Sequence, residues 1–346
     1  MSSSKTLTGV TGGLTTALAW GGMFAVARSA YDHLDPFHLT AVRFALGALL
    51  FLALLAVREG ASAFRYEGNL AKLWILGTVG FAGFNLLTYV GLQSIPAQSS
   101  SLVVATMPLV TVIVLWIRTK KKPAPLALAF TVLALAGLTI VLGDGNPLAA
   151  FSGGLGTGGL LTLIGVICWV VYTTSAAQFA GWSPLRYTAL SCLPGTLSIL
   201  VVTAVSQAAG WTGSFGPGAY LDAWWQILYV AVPATAVAIL TWNIANRNLG
   251  PTNGVLFINL VPVTAFVVSA FQGHTPTGAE LTGISLVIVS LLGANLAGRR
   301  HAARAAATAP STPGTPPGTG TAPEAGTTPG AGTGPAAGKA PATTRH

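Results

Sequence analysis

Apolar runs recur along the whole chain and are separated by short polar linkers rich in Gly and Pro. Each run is close to the roughly 20 residues that an α-helix needs to cross a bilayer. The pattern therefore predicts an all-α membrane protein with ten transmembrane helices. The predicted spans are 8–28, 38–57, 73–93, 97–117, 124–143, 156–176, 187–206, 225–246, 253–271 and 279–298.

The composition excludes a soluble protein with an unusually apolar core. Hydrophobic residues make up 52% of the 346 residues and charged residues only 7%, whereas a soluble domain has about 25% charged residues. The two cysteines, Cys168 and Cys192, both fall inside predicted spans and offer neither a disulfide framework nor a metal-binding spacing. No cofactor or metal site is predicted.

The net charge of +9 indicates a membrane surface and not a nucleic acid, because the basic residues form short clusters between apolar spans. Such clusters attract anionic lipid headgroups and lie on the cytoplasmic side of a membrane. The prediction is a multi-pass protein of the plasma (inner) membrane with both termini in the cytoplasm. The loops placed inside hold Lys5, Arg58, Arg65, Lys72, Arg118, Lys120, Lys121, Lys122, Arg186, Arg247, Arg299, Arg300 and Arg304.

The two ends of the chain lie outside the apolar spans. Residues 1–7 are predicted to be a short cytoplasmic N-terminus. Lys5 and the apolar run after it also fit a signal peptide, but a counterpart of that run in the second half favours a retained helix. Residues 299–346 are predicted to be a disordered cytoplasmic tail, because Ala, Thr, Pro and Gly dominate there and bury little apolar surface.

Two stretches of the chain repeat one another. They read PFHLTAVRFALG from Pro36 and PLRYTALSCLPG from Pro184. In this register Arg43 of the first copy falls on Ser191 of the second, so only one copy carries the charge. The motif LVVATMP before residue 109 similarly matches LFINLVP before residue 263.

The repeat divides the spans into two sets of five, within residues 8–143 and 144–298. An odd number of spans carries the chain to the opposite side of the membrane. If the first half begins inside, the second half therefore begins outside. We therefore expect two inverted five-helix repeats related by a pseudo-twofold axis in the membrane plane. Inverted repeats are typical of alternating-access carriers, whose site lies between the halves. A duplicated scaffold or enzyme without transport is the alternative.

The repeats resemble the paired five-helix EamA-type domains of the drug/metabolite transporter superfamily. The resemblance rests on the Trp-containing first helices ALAWGGMF and LIGVICWVVY, on Pro-x-x-x-Thr-Ala-x-Arg, and on Pro108 and Pro262. It covers about residues 8–298. It implies ten helices around a central cavity and a function in moving small organic solutes across the membrane, often outward. In the second copy, Ser191 and Pro194 replace the Arg43 and Leu46 of the first copy. No acidic residue lies between Lys5 and Arg28, where the small multidrug branch carries a glutamate.

Uncharged polar side chains at membrane depth are candidates for the solute site. Asn85 and Tyr89 are four residues apart and share a helix face, as do Trp242 and Asn246, with Asn243 beside them. Amide and hydroxyl groups next to aromatic rings suit a neutral or zwitterionic organic solute with an apolar part. Hydrogen bonding between helices is the alternative role for these amides.

Trp20 and Trp169 are related by the repeat, and each is followed by another aromatic residue, Phe24 and Tyr172. Trp20, Trp169 and Tyr172 are predicted to contact the solute or to gate its path. Packing within the helix bundle is the more common role of buried aromatic residues and is the alternative for this set.

Arg43 lies inside an apolar span, about 10 Å from the start of its helix at 1.5 Å per residue. Its long side chain has two possible roles. It either extends along apolar surface to the outer interface, or it faces the cavity and attracts a carboxylate or a helix C-terminus.

The reactive side chains that the predicted spans lack also constrain the function. No Asp, Glu or His lies in the middle of a predicted span, and Glu280 at the start of the last span is the nearest carboxylate. This argues against an intramembrane proton relay and against proteolysis. No phosphate-binding Gly-rich loop is present. The sequence predicts a secondary carrier or exporter of small organic metabolites. A non-transporting scaffold or a lipid-modifying enzyme is the alternative.

Overall fold

The computed structural model describes residues 3–120, 122, 125–142, 145–146, 156–249, 254, 257–258, 260–271, 273 and 275–307, and within them the chain is helical without a β-strand. The helices of the first part are α1 (Ser3–Ala30), α2 (Pro36–Glu59), α3 (Leu70–Gly77), α4 (Phe84–Gly91), α5 (Ala97–Ala105), α6 (Met107–Thr119) and α7 (Pro125–Leu142).

The second part of the chain also consists of helices. They are α8 (Gly156–Ser175), α9 (Pro184–Ala208), α10 (Pro217–Asp222), α11 (Trp224–Ala231), α12 (Ala238–Leu249), α13 (Leu260–Phe271) and α14 (Gly278–Ala307). Short 3₁₀ turns at Ala61–Phe64 and Ala176–Phe179 follow α2 and α8. The chain divides into two compact units, Met1–Arg304 and Ala305–His346, and the described part of the second ends with α14.

The described residues contain seven helices that are long and apolar enough to cross a membrane. Their outer faces carry large exposed apolar side chains such as Leu49, Val57, Val201 and Leu228, which lipid would cover. The seven spans are Lys5–Ala30, Pro36–Glu59, Leu70–Gly91, Ser99–Thr119, Gly156–Phe179, Pro184–Ala208 and Trp224–Leu249.

Several predicted span limits differ from the helices. The fourth predicted span, 97–117, is divided at Thr106, just before Pro108, whose ring removes a backbone donor. The last helix continues to Ala307, past the predicted limit at 298, because its end is rich in Ala and Arg, which favour helix. The first helix begins at Ser3, within the predicted N-terminus 1–7. The predicted tail from 308 onward lies outside the described residues.

The two copies of the repeated motif begin their helices in the same way. Asp35 caps α2 by accepting a hydrogen bond from the backbone N–H of His38, and Ser183 caps α9 by accepting one from Arg186. Pro follows the cap in both copies, where its missing N–H costs nothing. The repeated sequence therefore produces a repeated helix start.

The helices of the two parts pack against each other reciprocally. The first helix of the first part, α1, packs against α12 and α13, and the first helix of the second part, α8, packs against α4, α5 and α6. The two second helices, α2 and α9, pack against one another. The first helix of each part thus packs against later helices of the other part.

A π-turn interrupts one membrane-spanning stretch in each part, Leu70–Gly91 and Trp224–Leu249. Residues Thr78–Gly83 form the turn between α3 and α4, and Val232–Val237 form it between α11 and α12. Such turns disturb the regular hydrogen-bond ladder and commonly lie at functional sites.

The two parts approach each other closely at Gly77 and Gly195, where α3 crosses α9. A Cβ atom on Gly195 would lie 2.6 Å from the carbonyl oxygen of Gly77. Glycine is therefore required here to bring the two backbones together.

Candidate functional site

The guanidinium of Arg43 is buried at the centre of the bundle, and the residue is only 2% exposed. The side chain therefore does not extend to the interface, which excludes the first of its two predicted roles. It donates hydrogen bonds to Thr235 Oγ1 (2.5 Å), Asn85 Oδ1 (2.9 Å), Tyr89 Oη (2.7 Å) and the carbonyl oxygen of Ala234 (3.3 Å).

Every hydrogen-bond partner of Arg43 is uncharged. Within the described part of the chain the ion pairs are His38–Asp35 and Arg186–Glu67, so no carboxylate offsets the charge of Arg43. Its guanidinium carbon lies 4.9 Å from the ring centre of Phe44, and such contacts only partly replace a counterion. A buried cation without a counterion is costly, which makes Arg43 a candidate to bind an anionic group.

The π-turn of the second part supplies two of these partners. The carbonyl of Ala234 accepts hydrogen bonds from Arg43 and from the indole N–H of Trp20 (2.9 Å). The hydroxyl of Thr235 bonds back to the carbonyl of Val230 (2.7 Å) and accepts from Arg43. Because a π-turn leaves carbonyls outside the regular ladder, they are open to side-chain donors.

The second copy of the motif lacks the charge because aromatic rings fill the corresponding space. Ser191, which aligns with Arg43, shares a 3.0 Å hydrogen bond with the hydroxyl of Tyr172. The Tyr172 ring lies 4.9 Å from that of Phe81 and stacks on Tyr187 at 5.1 Å. The position of Ser191 is thus surrounded by packed aromatic rings, whereas the equivalent position in the first copy holds the cation of Arg43.

Three tryptophans meet beside Arg43. The ring centre of Trp20 lies 6.1 Å from that of Trp169 and 5.4 Å from that of Trp242. The indole N–H groups of Trp169 and Trp242 are buried and have no hydrogen-bond partner among the residues that the structure describes. Buried indoles usually donate a hydrogen bond, so these two N–H groups are candidate donors to a bound molecule.

Two neighbouring cavities lie at these tryptophans. The deep cavity measures about 20 Å³, which is room for about one water molecule. The larger cavity, which we call the vestibule, measures about 440 Å³ and lies between α6, α8, α9 and α12. Met107 and Trp169 line both cavities, so these side chains form part of the wall between them. The deep cavity is lined by Trp20, Met23, Phe24, Arg43, Phe84, Asn85, Val104, Met107, Trp169 and Ile239.

The structure divides the predicted site residues between the two cavities. Trp20, Arg43 and Asn85 line the deep cavity, and Tyr89 joins this group through its bond to Arg43. The predicted shared face of Asn85 and Tyr89 is confirmed, because both side chains bond the same nitrogen, Nη1, of Arg43. Trp169 belongs to both cavities. The vestibule contains Trp242, Asn243 and Asn246.

Three predicted residues also make structural contacts. Asn243 donates to the hydroxyl of Thr188 in the neighbouring helix (2.6 Å), which is the interhelical role. Asn246 donates to the carbonyl of Trp242 in its own helix (2.9 Å). Tyr172 is buried and lines neither cavity, so the structure favours packing over solute contact for this ring.

A polar cluster borders the vestibule next to Trp182 and Ser183, which line it. Arg186 donates to Glu67 Oε1 (2.7 Å) and its guanidinium carbon lies 4.1 Å from the ring centre of Trp182. Hydrogen bonds from Arg186 and then from Trp182 lower the pKa of the Glu67 carboxyl. Ser183 donates to Glu59. This cluster ties the loop after α2 to the start of α9.

Sequence reasoning missed Thr235, Ala234 and Met107. Thr235 is one of many threonines in apolar runs, and the role of Ala234 rests on a backbone carbonyl that no side-chain pattern reveals. The only sequence signal was Pro233, which removes a backbone donor within the span and favours an irregular turn.

These features define a class of protein. The chain is a multi-pass helical membrane protein whose two parts enclose a central cavity with a buried cation and aromatic walls. It belongs to the EamA-like transporter family, which its sequence matches twice, over residues 7–143 and 156–296.

Named relatives are transporters. The chain is 31% identical over 273 residues to the uncharacterized transporter YrdR of Bacillus subtilis, a match that covers 78% of this chain and 85% of the relative. It is 26% identical to the aromatic amino acid exporter YddG of Ancylobacter novellus, covering 68% and 78%. It is 25% identical to the inner membrane transporter YedA of Escherichia coli K12, covering 74% and 80%.

A solved crystal structure shares this fold. The similarity has a TM-score of 0.63 and covers 87% of this chain and 99% of the other, at 24% sequence identity. At that identity the match bears on the fold alone.

Proposed function

We propose that this protein is a secondary carrier that moves small organic metabolites across the plasma membrane by alternating access. The observation that carries the proposal is Arg43, a buried cation with neutral partners at the wall of a central cavity. A charge inside a membrane protein is expensive and usually serves a substrate or ion path. The names of the relatives favour transport over the scaffold or enzyme alternative.

The proposed solute is amino-acid-like, with a carboxylate and an apolar or aromatic part. The carboxylate would bind the guanidinium of Arg43, where a charge-assisted hydrogen bond is stronger than a neutral one. The indoles of Trp20 and Trp169 would contact the apolar part, and the free N–H of Trp169 offers a further donor. One relative is named an aromatic amino acid exporter, which agrees with this chemistry.

The proposed architecture is ten transmembrane helices in two inverted repeats, within residues 8–143 and 144–298. The reciprocal packing of the two parts and the matched π-turns support a pseudo-twofold relation between them. In such carriers one part rocks against the other around a fixed central site. The packed rings of Tyr172 and Phe81 opposite the Arg43 cluster would make the two sides of the site unequal.

The proposed orientation places both termini in the cytoplasm, because the basic loops favour that side. The vestibule lies near the start of α9 and the ends of α6 and α12, and would then open to the cytoplasm. A cytoplasmic vestibule suits an exporter, which takes up its solute from inside. Anionic lipids would contact the basic loops on this face.

We expect no obligatory proton in the cycle. A proton-coupled carrier needs a group in its cavity that gains and loses a proton near neutral pH, and Arg43 stays charged under such conditions. Transport would then follow the solute's own gradient or exchange one solute for another. Glu280, at the start of α14, is the carboxylate to test first if coupling is found.

A thermal-shift screen of the purified protein tests the proposed site. Amino acids, nucleosides, sugars and amines are added separately, and the melting temperature is measured for each. Solutes with a carboxylate and an apolar side chain should stabilise the protein by mass action. The matched variant Trp20→Ala should lose that stabilisation. The proposal is wrong if no carboxylate solute raises the melting temperature, or if Trp20→Ala responds as wild type does.

A further inference from the structure

The vestibule has a charge at its wall that the proposed central site does not use. Arg247, at the end of α12, lines the vestibule and is exposed to it. Within the described part of the chain its guanidinium has neither an ion pair nor a protein hydrogen-bond acceptor. A second arginine stands nearby on α6: Arg118 donates to the hydroxyls of Thr174 and Ser175, each at 3.0 Å.

No carboxylate lines the vestibule among the described residues. Two acidic groups of the polar cluster beside it are already engaged: Glu67 accepts from Arg186, and Glu59 accepts from Ser183. Arg186 is held by that contact and is not free for a ligand. Arg247 is therefore the cation of this wall that is available to an anion, and Arg118 adds to the positive potential.

The sizes of the cavities show where a solute can lie in this conformation. The deep cavity of about 20 Å³ holds about one water, whereas the vestibule of about 440 Å³ holds a small organic molecule. The remaining wall of the vestibule is largely apolar and aromatic, with Phe179, Tyr187 and Trp242 around it. A molecule that fits has an anionic end and an apolar body.

We infer that the vestibule is a loading subsite for organic carboxylates, with Arg247 as the residue that selects the carboxylate. The carboxylate pairs with Arg247 while the apolar body lies against Trp242 and Trp169. When Met107 and Trp169 move apart, the carboxylate passes to Arg43 in the deep cavity. This inference rests on the proposed function and adds a first binding position and its determinant.

The test compares two ligands that differ in the carboxylate: phenylalanine and phenylalaninamide. Their equilibrium binding is measured on purified wild type, Arg247→Gln, Arg247→Lys and the control Arg58→Gln, which removes an exposed arginine at the end of α2. In Arg247→Gln we expect phenylalanine to bind about threefold to fivefold more weakly, as for an exposed ion pair. Phenylalaninamide should bind Arg247→Gln as well as it binds wild type, or more tightly.

Salt and conservative substitution separate a charge effect from a structural one. The difference between wild type and Arg247→Gln should be present at about 10 mM salt and disappear at about 1 M, where charges are screened over a few ångströms. Arg247→Lys should recover most of the binding, and Arg58→Gln should bind as wild type does. Equal weakening of both ligands in Arg247→Gln, or a difference that salt does not change, would overturn the inference.

A phospholipid headgroup is the other anion that could bind Arg247. Phenylalanine binding is therefore repeated in nanodiscs of phosphatidylcholine alone and with phosphatidylglycerol. The inference predicts that phosphatidylglycerol leaves phenylalanine binding unchanged. If it weakens binding in wild type but not in Arg247→Gln, the site belongs to lipid. Unaltered phenylalanine binding in Arg247→Gln refutes the loading subsite alone. The proposed central site is refuted separately, if no carboxylate solute raises the melting temperature of wild type or if Trp20→Ala responds as wild type does.

Discussion

Replacing Arg43 by Gln should separate the binding role of this residue from any structural role. The change removes the guanidinium and its bonds to Thr235, Asn85, Tyr89 and Ala234. Each lost bond from the charged guanidinium has a net value of about 1.5–3 kcal/mol. Removing a buried charge without a counterion returns several kcal/mol of desolvation, so the two effects oppose each other and largely cancel. We therefore expect the free energy of unfolding to change by no more than about 2 kcal/mol.

The effect of Arg43→Gln on solute recognition should be larger and selective. A charge-assisted hydrogen bond to a carboxylate is worth about 1.5–3 kcal/mol, which corresponds to about a 10- to 150-fold loss of affinity. Arg43→Lys keeps the charge without the planar fork and should lie between wild type and Arg43→Gln. Phenylalaninamide, which lacks the carboxylate, should be bound by Arg43→Gln as by wild type.

The assay is flux of labelled phenylalanine and phenylalaninamide into proteoliposomes, with the amount of folded protein measured for each variant by size-exclusion chromatography. The reasoning is refuted if both solutes lose flux equally, or if the loss follows the amount of folded protein. In either case Arg43 is a structural residue.

The remaining predictions concern packing, coupling and pH. Gly195→Ala should lower the melting temperature, because its Cβ would lie 2.6 Å from the Gly77 carbonyl oxygen and overpacking costs about 1–3 kcal/mol. Gly181→Ala is the control, because the space around Gly181 is open. Equal melting temperatures of the two variants would contradict the close crossing. An imposed pH gradient without a solute gradient should drive no accumulation in proteoliposomes, and accumulation that a protonophore abolishes would show proton coupling. The pKa of Glu67 is lowered by its bond to Arg186, so this contact should contribute above the ordinary carboxyl pKa and be lost as pH falls through the lowered value. The melting temperatures of wild type and Glu67→Gln should differ at neutral pH and converge in acid, and a difference that persists in acid would exclude this contact as its source.

The fold follows from the sequence wherever one physical effect dominates. Apolar length predicts ten spans, and the described residues contain seven helices long and apolar enough to cross a membrane. The repeated motif that begins at Pro36 and Pro184 coincides with the starts of α2 and α9. The two π-turns were not predictable, because periodicity over a short window does not distinguish them from regular helix. Helix α14 exceeds its predicted limit because an Ala- and Arg-rich end favours helix after the apolar run has ended.

The site was only partly predictable for a different reason. Arg43 stands out in an apolar span, and spacing along one helix places Asn85 next to Tyr89. The contact of Trp20 with Trp242 joins helices far apart in the chain, and such a pair leaves no mark in local spacing. Nor does spacing distinguish Tyr172, a packed ring, from a ring at the cavity.

Counterflow is the measurement that tests the central proposal most directly. Proteoliposomes are loaded with a high concentration of unlabelled phenylalanine and diluted into a trace of labelled phenylalanine. A carrier that alternates access around the Arg43 site should accumulate the label transiently above its external concentration, and Arg43→Gln should lose this accumulation. Label that enters only to the external concentration, or that does not enter in wild type, would contradict the account.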